Sequence, residues 1–154
     1  MGIDFNVSYK GWGLYLQGYS ELGVHTWATN AYYWNNGEGK YSKLALDRYH
    51  PANNPTGSYP RLTTTAGENN FRNSSFWLKK SDYLRLKNME IGYTFPAHWL
   101  KGIGVQNVRF YVAGTNLLTF TPLKNYDPEK SSGDMRNDVH PNTRTYSFGV
   151  NVKF

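Results

Sequence analysis

The 154-residue sequence contains no cysteine. A disulfide framework, a thiol nucleophile and a thiolate metal site are therefore excluded. No stretch approaches the roughly 18 consecutive apolar residues that a membrane-spanning helix needs. Basic residues are not clustered either, because the longest run is the Lys79-Lys80 pair although the net charge is +6. A nucleic-acid partner would favour lysine and arginine gathered on one face, so none is expected.

Motifs that carry chemistry are also missing. The sequence has no nucleophile elbow, no glycine-rich phosphate loop and no paired-carboxylate signature. Its four histidines stand at no metal-ligand spacing; they are His25, His50, His98 and His140. The first residues include Asp4 and alternate in polarity, so they do not form a secretory signal peptide. We therefore expect neither an enzyme nor a bound cofactor or metal.

Large aromatic residues are abundant in a chain that is polar on average. Aromatic residues make up 17% of the sequence, including 13 tyrosines and 5 tryptophans. A soluble core would be built more from leucine, isoleucine and valine. An excess of aromatic side chains in a chain of polar average composition is typical of a surface that contacts sugars or of a membrane interface.

Five segments alternate between apolar and polar residues with a period of two, which predicts β-strands. They cover about residues 2–10, 12–22, 81–95, 106–120 and 143–154. In the segment TYSFGVNVKF the apolar positions are Tyr146, Phe148, Val150, Val152 and Phe154. A one-residue change of phase near Lys87-Asn88 indicates either a β-bulge or a half of the strand that leaves the apolar zone.

The connections between these strands are alternately short and long. Residues 10–11 and 96–104 form short turns, and the second of these is expected to hold one helical turn. Residues 23–75 and 121–142 form long loops. Segregation of short and long connections to opposite ends is typical of transmembrane β-barrels, and strands of about ten residues suffice to cross a membrane. The alternative is a soluble secreted β-domain that binds carbohydrate through exposed tryptophan and tyrosine.

Three longer stretches carry a family resemblance. DRYHPANNPTGSYPRL at 47–62, FWLKKSDYLRLKNMEIGYTFP at 76–96, and VRFYVAGTNLLTFTPLKNYDPE at 108–129 with the closing RTYSFGVNVKF follow one another in order. Together they resemble blocks of the SusC/RagA family of TonB-dependent transporters, which lie in the outer membrane of Bacteroidota-type bacteria.

The resemblance implies a fold and a set of partners. The fold is all-β, with antiparallel up-and-down strands that form the last five or so strands of a barrel of roughly 22, whose lumen holds a plug domain. Such transporters import oligosaccharides or peptides. They work with two partners, a SusD-like lipoprotein that closes over the barrel as a lid and the TonB complex. The TonB complex contacts an N-terminal part outside this sequence. Five strands cannot close a barrel in lipid, so we expect a fragment, a truncated frame or one piece of a split barrel.

The resemblance also suggests roles for particular residues. An alternating last strand ending on phenylalanine resembles the signal read by the barrel-assembly machinery, which gives Tyr146, Phe148, Val150, Val152 and Phe154 that role. The first long loop carries candidate contacts to cargo or lid, although these rings could instead pack the loop against itself; they are Trp27, Tyr32, Tyr33, Trp34 and Tyr41.

Two further features of the connections have simpler interpretations. Trp99 in the short turn is expected to be an anchor at the membrane interface. The second long loop gathers Asp127, Glu129, Asp134 and Asp138, whose oxygen ligands could hold calcium. Because their spacing matches no EF-hand, a solvated acidic loop is the favoured interpretation.

Overall fold

The computed structural model describes residues 1–30, 32–37, 40–63, 69–102, 104–124, 127–129 and 142–154. Its strands in chain order are β1 (Gly2–Tyr9), β2 (Trp12–Glu21), β3 (His25–Trp27), β4 (Leu78–Lys80), β5 (Tyr83–Thr94), β6 (Asn107–Phe120) and β7 (Thr145–Lys153). A 3-10 helix spans Lys43–Asp47, and a short helix α1 spans Ala97–Leu100. Among the described residues no helix is long and apolar enough to cross a membrane.

The chain divides into two compact units. The sheet unit comprises Met1–Leu22, Asp82–Lys124 and Asn142–Phe154, and the loop unit comprises Gly23–Ser81 and Asn125–Pro141. The sheet unit contains a single sheet in the order β1-β2-β5-β6-β7, and every neighbouring pair in it is antiparallel. The expected all-β, up-and-down arrangement is confirmed.

The short connections of the sheet use residues that adopt a positive φ. Lys10 and Gly11 join β1 to β2 with φ values of 47° and 87°, the conformation of a two-residue hairpin turn whose twist matches that of the strands. The other short connection holds α1, with Pro96 as its N-cap. Gly102 and Gly104 follow α1 with φ values of 99° and 71°, because glycine enters this region without a steric penalty.

The change of phase in β5 is a change of register. Between Leu86 and Asn88 the pairing with both neighbouring strands shifts, so that Lys87 is an extra residue relative to β2. On β6 the shift falls beside Asn116, which has a φ of 52°. The extra residue explains why Leu84 and Leu86 have the opposite parity to Ile91 in the sequence and nevertheless share its face of the sheet.

The loop unit has its own core. Its sequence has no regular period, so this core could not be predicted from the pattern of apolar residues. The buried residues are Ala28, Tyr33, Tyr59, Phe71 and Trp77, with Tyr32, Trp34, Leu44 and Leu62 packed against them. Strands β3 and β4 pair antiparallel within this unit. Trp77 is 2% exposed, and its Nε1 donates a hydrogen bond to the Asn70 carbonyl at 2.9 Å. The long first loop is therefore folded around aromatic side chains.

Candidate functional site

One face of the five-stranded sheet is apolar from edge to edge. A single cross-strand row runs through Val7, Leu14, Ile91, Val112 and Phe148. The next row runs through Phe5, Leu16, Met89, Gly114 and Tyr146. Large side chains of this face are open to their surroundings, with Phe5 51% and Phe148 79% exposed. A continuous exposed apolar surface of this kind requires an apolar environment, such as lipid or another protein.

Aromatic rings gather on this face at the end where the short connections lie. Trp12 and Tyr93 have ring centroids 4.9 Å apart, and Phe95 lies 5.6 Å from Phe110. Trp99 of α1 is 61% exposed and lies 5.8 Å from Phe95. Rings with a polar edge are enriched at membrane–water boundaries. This cluster therefore has the composition of an interfacial girdle.

The opposite face of the same sheet is polar and internally hydrogen-bonded. Arg109 and Glu90 form an ion pair at 2.6 Å, and the Asn88 side chain donates to Gln17 Oε1 at 2.5 Å. The Tyr15 hydroxyl donates to Asp4 at 3.0 Å. Polar and apolar residues thus occupy opposite faces, as in the wall of a barrel with a polar interior.

Glycines on the polar face leave room for side chains that lie flat against the sheet. A Cβ atom on Gly92 would lie 2.8 Å from Arg109 Nη2, and one on Gly149 would overlap the ring of Tyr111. Gly13, Gly92, Tyr111 and Gly149 stand in one cross-strand row. Glycine within a strand marks such close approaches. The guanidinium of Arg109 therefore lies over the backbone and reaches its partner Glu90.

The residues of the expected assembly signal lie on or next to β7. Tyr146, Phe148, Val150 and Val152 are opposite apolar-face positions of β6, and their exposed fractions are 64%, 79%, 49% and 45%. Phe154 follows β7 and is 80% exposed. These side chains are accessible from outside the sheet unit, and their role as a signal stays a prediction.

The five candidate contact residues of the loop unit separate into two groups. Tyr33 is 7% exposed and belongs to the core, while Tyr32 and Trp34 pack against it. Trp27 and Tyr41 are more open, at 37% and 42% exposed. Trp27 pairs across the strands with the exposed Leu78, and the Tyr41 hydroxyl donates to the Gly37 carbonyl at 2.6 Å. Of the five residues, Trp27 and Tyr41 are therefore the two that are exposed.

Tyr59 organises the centre of the loop unit. Its hydroxyl donates to the Tyr33 carbonyl at 2.7 Å and accepts from the backbone N–H and the side-chain Nδ2 of Asn35, both at 2.9 Å. Asn35 is 2% exposed, and its Oδ1 accepts from the Ser42 N–H at 2.5 Å. Burial raises the pKa of the Tyr59 hydroxyl above its ordinary value. This tyrosine thus stays neutral and connects two segments that are distant in sequence, residues 33–35 and the stretch around position 59.

Asp47 holds the neighbouring turn. Its Oδ2 accepts from the Ser58 hydroxyl at 2.5 Å and from the Ser58 N–H at 3.1 Å, and its Oδ1 accepts from Asn54 Nδ2 at 3.4 Å. The side-chain and then the backbone hydrogen bond from Ser58 lower the pKa of the Asp47 carboxyl below its usual value. Gly57 is required there, because a Cβ atom would lie 2.7 Å from the Arg48 backbone. These contacts fix the backbone of the 47–62 stretch around Asp47 and Gly57.

Two of the four acidic residues of the second long loop, Asp127 and Glu129, belong to the residues that the structure describes. The Glu129 N–H donates to Asp127 Oδ1 at 3.0 Å, whereas Asp134 and Asp138 lie outside the described residues. Within the part of the chain that the structure describes, no group of three or more histidine, aspartate or glutamate side chains could hold a metal ion. A calcium site in this loop stays a prediction.

Comparison with known proteins finds TonB-dependent receptors. No family model matches the sequence. TonB-dependent receptor P26 of Formosa agariphila is 31% identical over 167 aligned positions, which cover 99% of this chain and 16% of that protein. TonB-dependent receptor P3 of the same organism is 38% identical over 94 positions, which cover 54% of this chain and 9% of that protein.

Solved structures match over nearly the whole chain. The RagAB peptide importer in its closed-closed state superposes with a TM-score of 0.76 at 27% identity, covering 99% of this chain and 17% of that one. Its open-open state gives a TM-score of 0.72 at 25% identity. The chain spans 9% and 16% of the lengths of the two receptors above.

Proposed function

We propose that this chain, a homologue of the TonB-dependent receptors, forms the C-terminal part of the barrel wall of an outer-membrane importer in a Bacteroidota-type bacterium. The observation that carries the proposal is the division of one sheet into a continuous exposed apolar face and a polar face with the Glu90–Arg109 ion pair. Lipid would cover the first face, and the second would line the lumen. No catalysis is assigned to it.

The two edges of the sheet support a larger barrel. Among the described strands, β1 and β7 each pair with one neighbour only. Open edges in lipid leave backbone N–H and C=O groups without partners, at several kcal/mol each. We infer that further strands of the same receptor, or of a partner chain, pair with both edges.

The transport role implies an orientation and partners. The long connections, residues 23–75 and 121–142, would face the cell exterior and meet a SusD-like lid lipoprotein, while the short connections with α1 and the Lys10-Gly11 turn would face the periplasm. Peptide is the favoured cargo, because the RagAB structures that match this chain are of a peptide importer. Force from the TonB complex would act on a plug in the lumen, outside residues 1–154.

Cysteine labelling in intact cells tests the orientation. Because the native chain has no cysteine, Leu46→Cys in the loop unit and Lys101→Cys after α1 can be made in a receptor whose other cysteines are removed. We expect a membrane-impermeant maleimide to label the first variant in whole cells, and the second only after the outer membrane is permeabilised. Labelling of Lys101→Cys in intact cells would reverse the orientation.

An immunoblot of isolated outer membranes, with an antibody to residues 121–142, tests the larger assembly. A membrane band several-fold heavier than 17.7 kDa is expected from a receptor six times as long. A membrane band at 17.7 kDa would indicate a split barrel. A soluble band at that mass would contradict the barrel and favour a secreted carbohydrate-binding domain.

A further inference from the structure

A small cavity opens within the loop unit, among residues for which the transport role assigns nothing. Its volume is about 140 Å³. It is lined by Tyr33, Leu44, Asp47, Ser58, Tyr59, Phe76, Trp77 and Lys79. A dry cavity of about 150 Å³ holds one benzene ring in a protein interior. The space is therefore of the size of one six-membered ring.

The depth of the cavity is apolar and its rim is polar. Tyr33, Tyr59 and Trp77 are buried at 7%, 6% and 2% exposure, and they form the inner wall together with the half-buried Leu44. Asp47, Ser58 and Phe76 are exposed, and Lys79 is partly exposed. A bound ligand would therefore place its apolar part against the aromatic rings in the depth and its polar part beside the charged groups at the rim.

The two charged groups at the rim retain capacity for a ligand. Asp47 accepts three hydrogen bonds, one of them as long as 3.4 Å, whereas a carboxylate offers about four acceptor positions. Its lowered pKa keeps it ionised, so that it only accepts. The Lys79 ammonium lies 4.7 Å from the centre of the Phe76 ring. Within the described residues Lys79 and Asp47 form no ion pair with each other.

The inner wall favours an aromatic side chain over a sugar. The Tyr59 hydroxyl is already committed to the Tyr33 carbonyl and to Asn35. A pyranose carries hydroxyls around its whole edge, and those placed deep in the cavity would lack partners, which costs binding free energy. A phenyl ring needs no partner there, and edge-to-face contacts with the surrounding rings favour it.

We propose that this cavity binds an aromatic side chain of a peptide, with the peptide backbone held at the rim. The backbone N–H would donate to the Asp47 carboxylate, and a backbone carbonyl would accept from the Lys79 ammonium. The inference rests on the proposed importer function only in requiring that the loop unit be reached by peptides from outside.

Saturation-transfer NMR on the detergent-solubilised receptor tests the site with three small probes. They are N-acetyl-phenylalaninamide, N-acetyl-alaninamide and methyl glucopyranoside. We expect transfer to the ring protons of the first probe, with affinity at least about tenfold above that for the alanine probe, since the ring supplies most of the buried apolar area. Methyl glucopyranoside should give no signal that the phenylalanine probe displaces.

Two variants and one control locate the binding. Leu44→Trp fills the cavity, so affinity for the phenylalanine probe should fall at least about tenfold. Lys79→Met removes the rim donor and should weaken binding about fivefold. Lys43→Met removes an exposed charge that does not line the cavity and should leave binding unchanged. Retained amide-exchange protection of residues 33–37 would show that each variant is folded.

The outcomes separate this site from the importer function. Binding that survives Leu44→Trp, or no binding of the phenylalanine probe to the native protein, overturns the site even if labelling confirms the orientation. Displacement of the phenylalanine probe by the glucoside overturns the ligand class. Conversely, the binding experiment is performed in detergent, so it can succeed even if the orientation proves reversed.

Discussion

Replacing Tyr59 by phenylalanine removes one buried hydroxyl from the loop unit and keeps the ring. In the native protein this hydroxyl satisfies the Tyr33 carbonyl at 2.7 Å and the Asn35 N–H at 2.9 Å. Asn35 is 2% exposed, so water does not readily replace the missing oxygen. The substitution therefore removes from two buried backbone groups the partner that the Tyr59 hydroxyl provides in the native protein.

The cost follows from those two groups. A buried polar group left unpaired costs about 1–3 kcal/mol. The Asn35 side chain adds little, because its Nδ2 also donates to Ser42 Oγ at 3.0 Å and to the Tyr32 carbonyl at 3.3 Å. We therefore expect the free energy of unfolding of the loop unit to fall by about 2–6 kcal/mol.

Hydrogen exchange read by mass spectrometry on the solubilised receptor measures this change locally. Because about 1.4 kcal/mol corresponds to a factor of ten, amide exchange in residues 33–37 and 58–62 should accelerate by about 30-fold or more. Tyr32→Phe is the matched control, since within the described residues the Tyr32 hydroxyl makes no hydrogen bond. Exchange in Tyr59→Phe within about threefold of the native rate, or an equal acceleration in the control, would refute the reasoning.

Three further predictions concern the sheet and the turn. Phe148→Arg places a charge on the apolar face and should destabilise the barrel by about 2–4 kcal/mol if that face meets lipid near the membrane midplane. The loss of stability is measured by unfolding in urea, and an unchanged midpoint would contradict a lipid-facing position. Gly149→Ala should lower stability in the same assay, because the added Cβ atom would overlap the Tyr111 ring. A second substitution, Tyr111→Ala, should restore most of the lost stability. A double variant as unstable as the single one would show that the overlap is not the cause. The hydrogen bonds that lower the pKa of the Asp47 carboxyl stabilise the folded state at pH values above about 3.9, the pKa of an aspartate in the unfolded chain. This stabilisation is lost as the pH falls through the lower pKa that Asp47 has in the folded protein. Exchange protection of the 47–58 turn should thus stay level above about pH 5 and decrease in more acidic solution, whereas Asp47→Asn should remove this pH dependence.

The strands and their two faces could be predicted from the sequence because both are local properties. Side chains of a strand alternate between faces, so the pattern of Tyr146, Phe148 and Val150 already assigns β7 an apolar side. The bulge at Lys87 was predictable for the same reason, since an extra residue reverses the parity of everything that follows. The resemblance of three stretches to transporter blocks then indicated the barrel, and the comparisons confirm it.

The loop unit could not be predicted in the same way. Its rings follow no period, and the sequence presented Tyr33 and Trp27 as equivalent aromatic residues although one is buried and the other open. Tyr59 and Trp77, which form its centre, were not among the candidate residues. No local pattern singles out the first of them, because Tyr49 in the same stretch is 46% exposed whereas Tyr59 is 6% exposed.

Local alternation by itself thus determined that this chain forms amphipathic antiparallel strands with an apolar side. Only the tertiary structure decided which aromatic side chains are buried, how Asp47 and Tyr59 are held, and where a ring-sized cavity opens. The physical reason is the separation of the partners: the Tyr59 hydroxyl meets the Tyr33 carbonyl across 26 positions of sequence. Such a contact depends on the closure of a long loop, and no short-range pattern of residues specifies it.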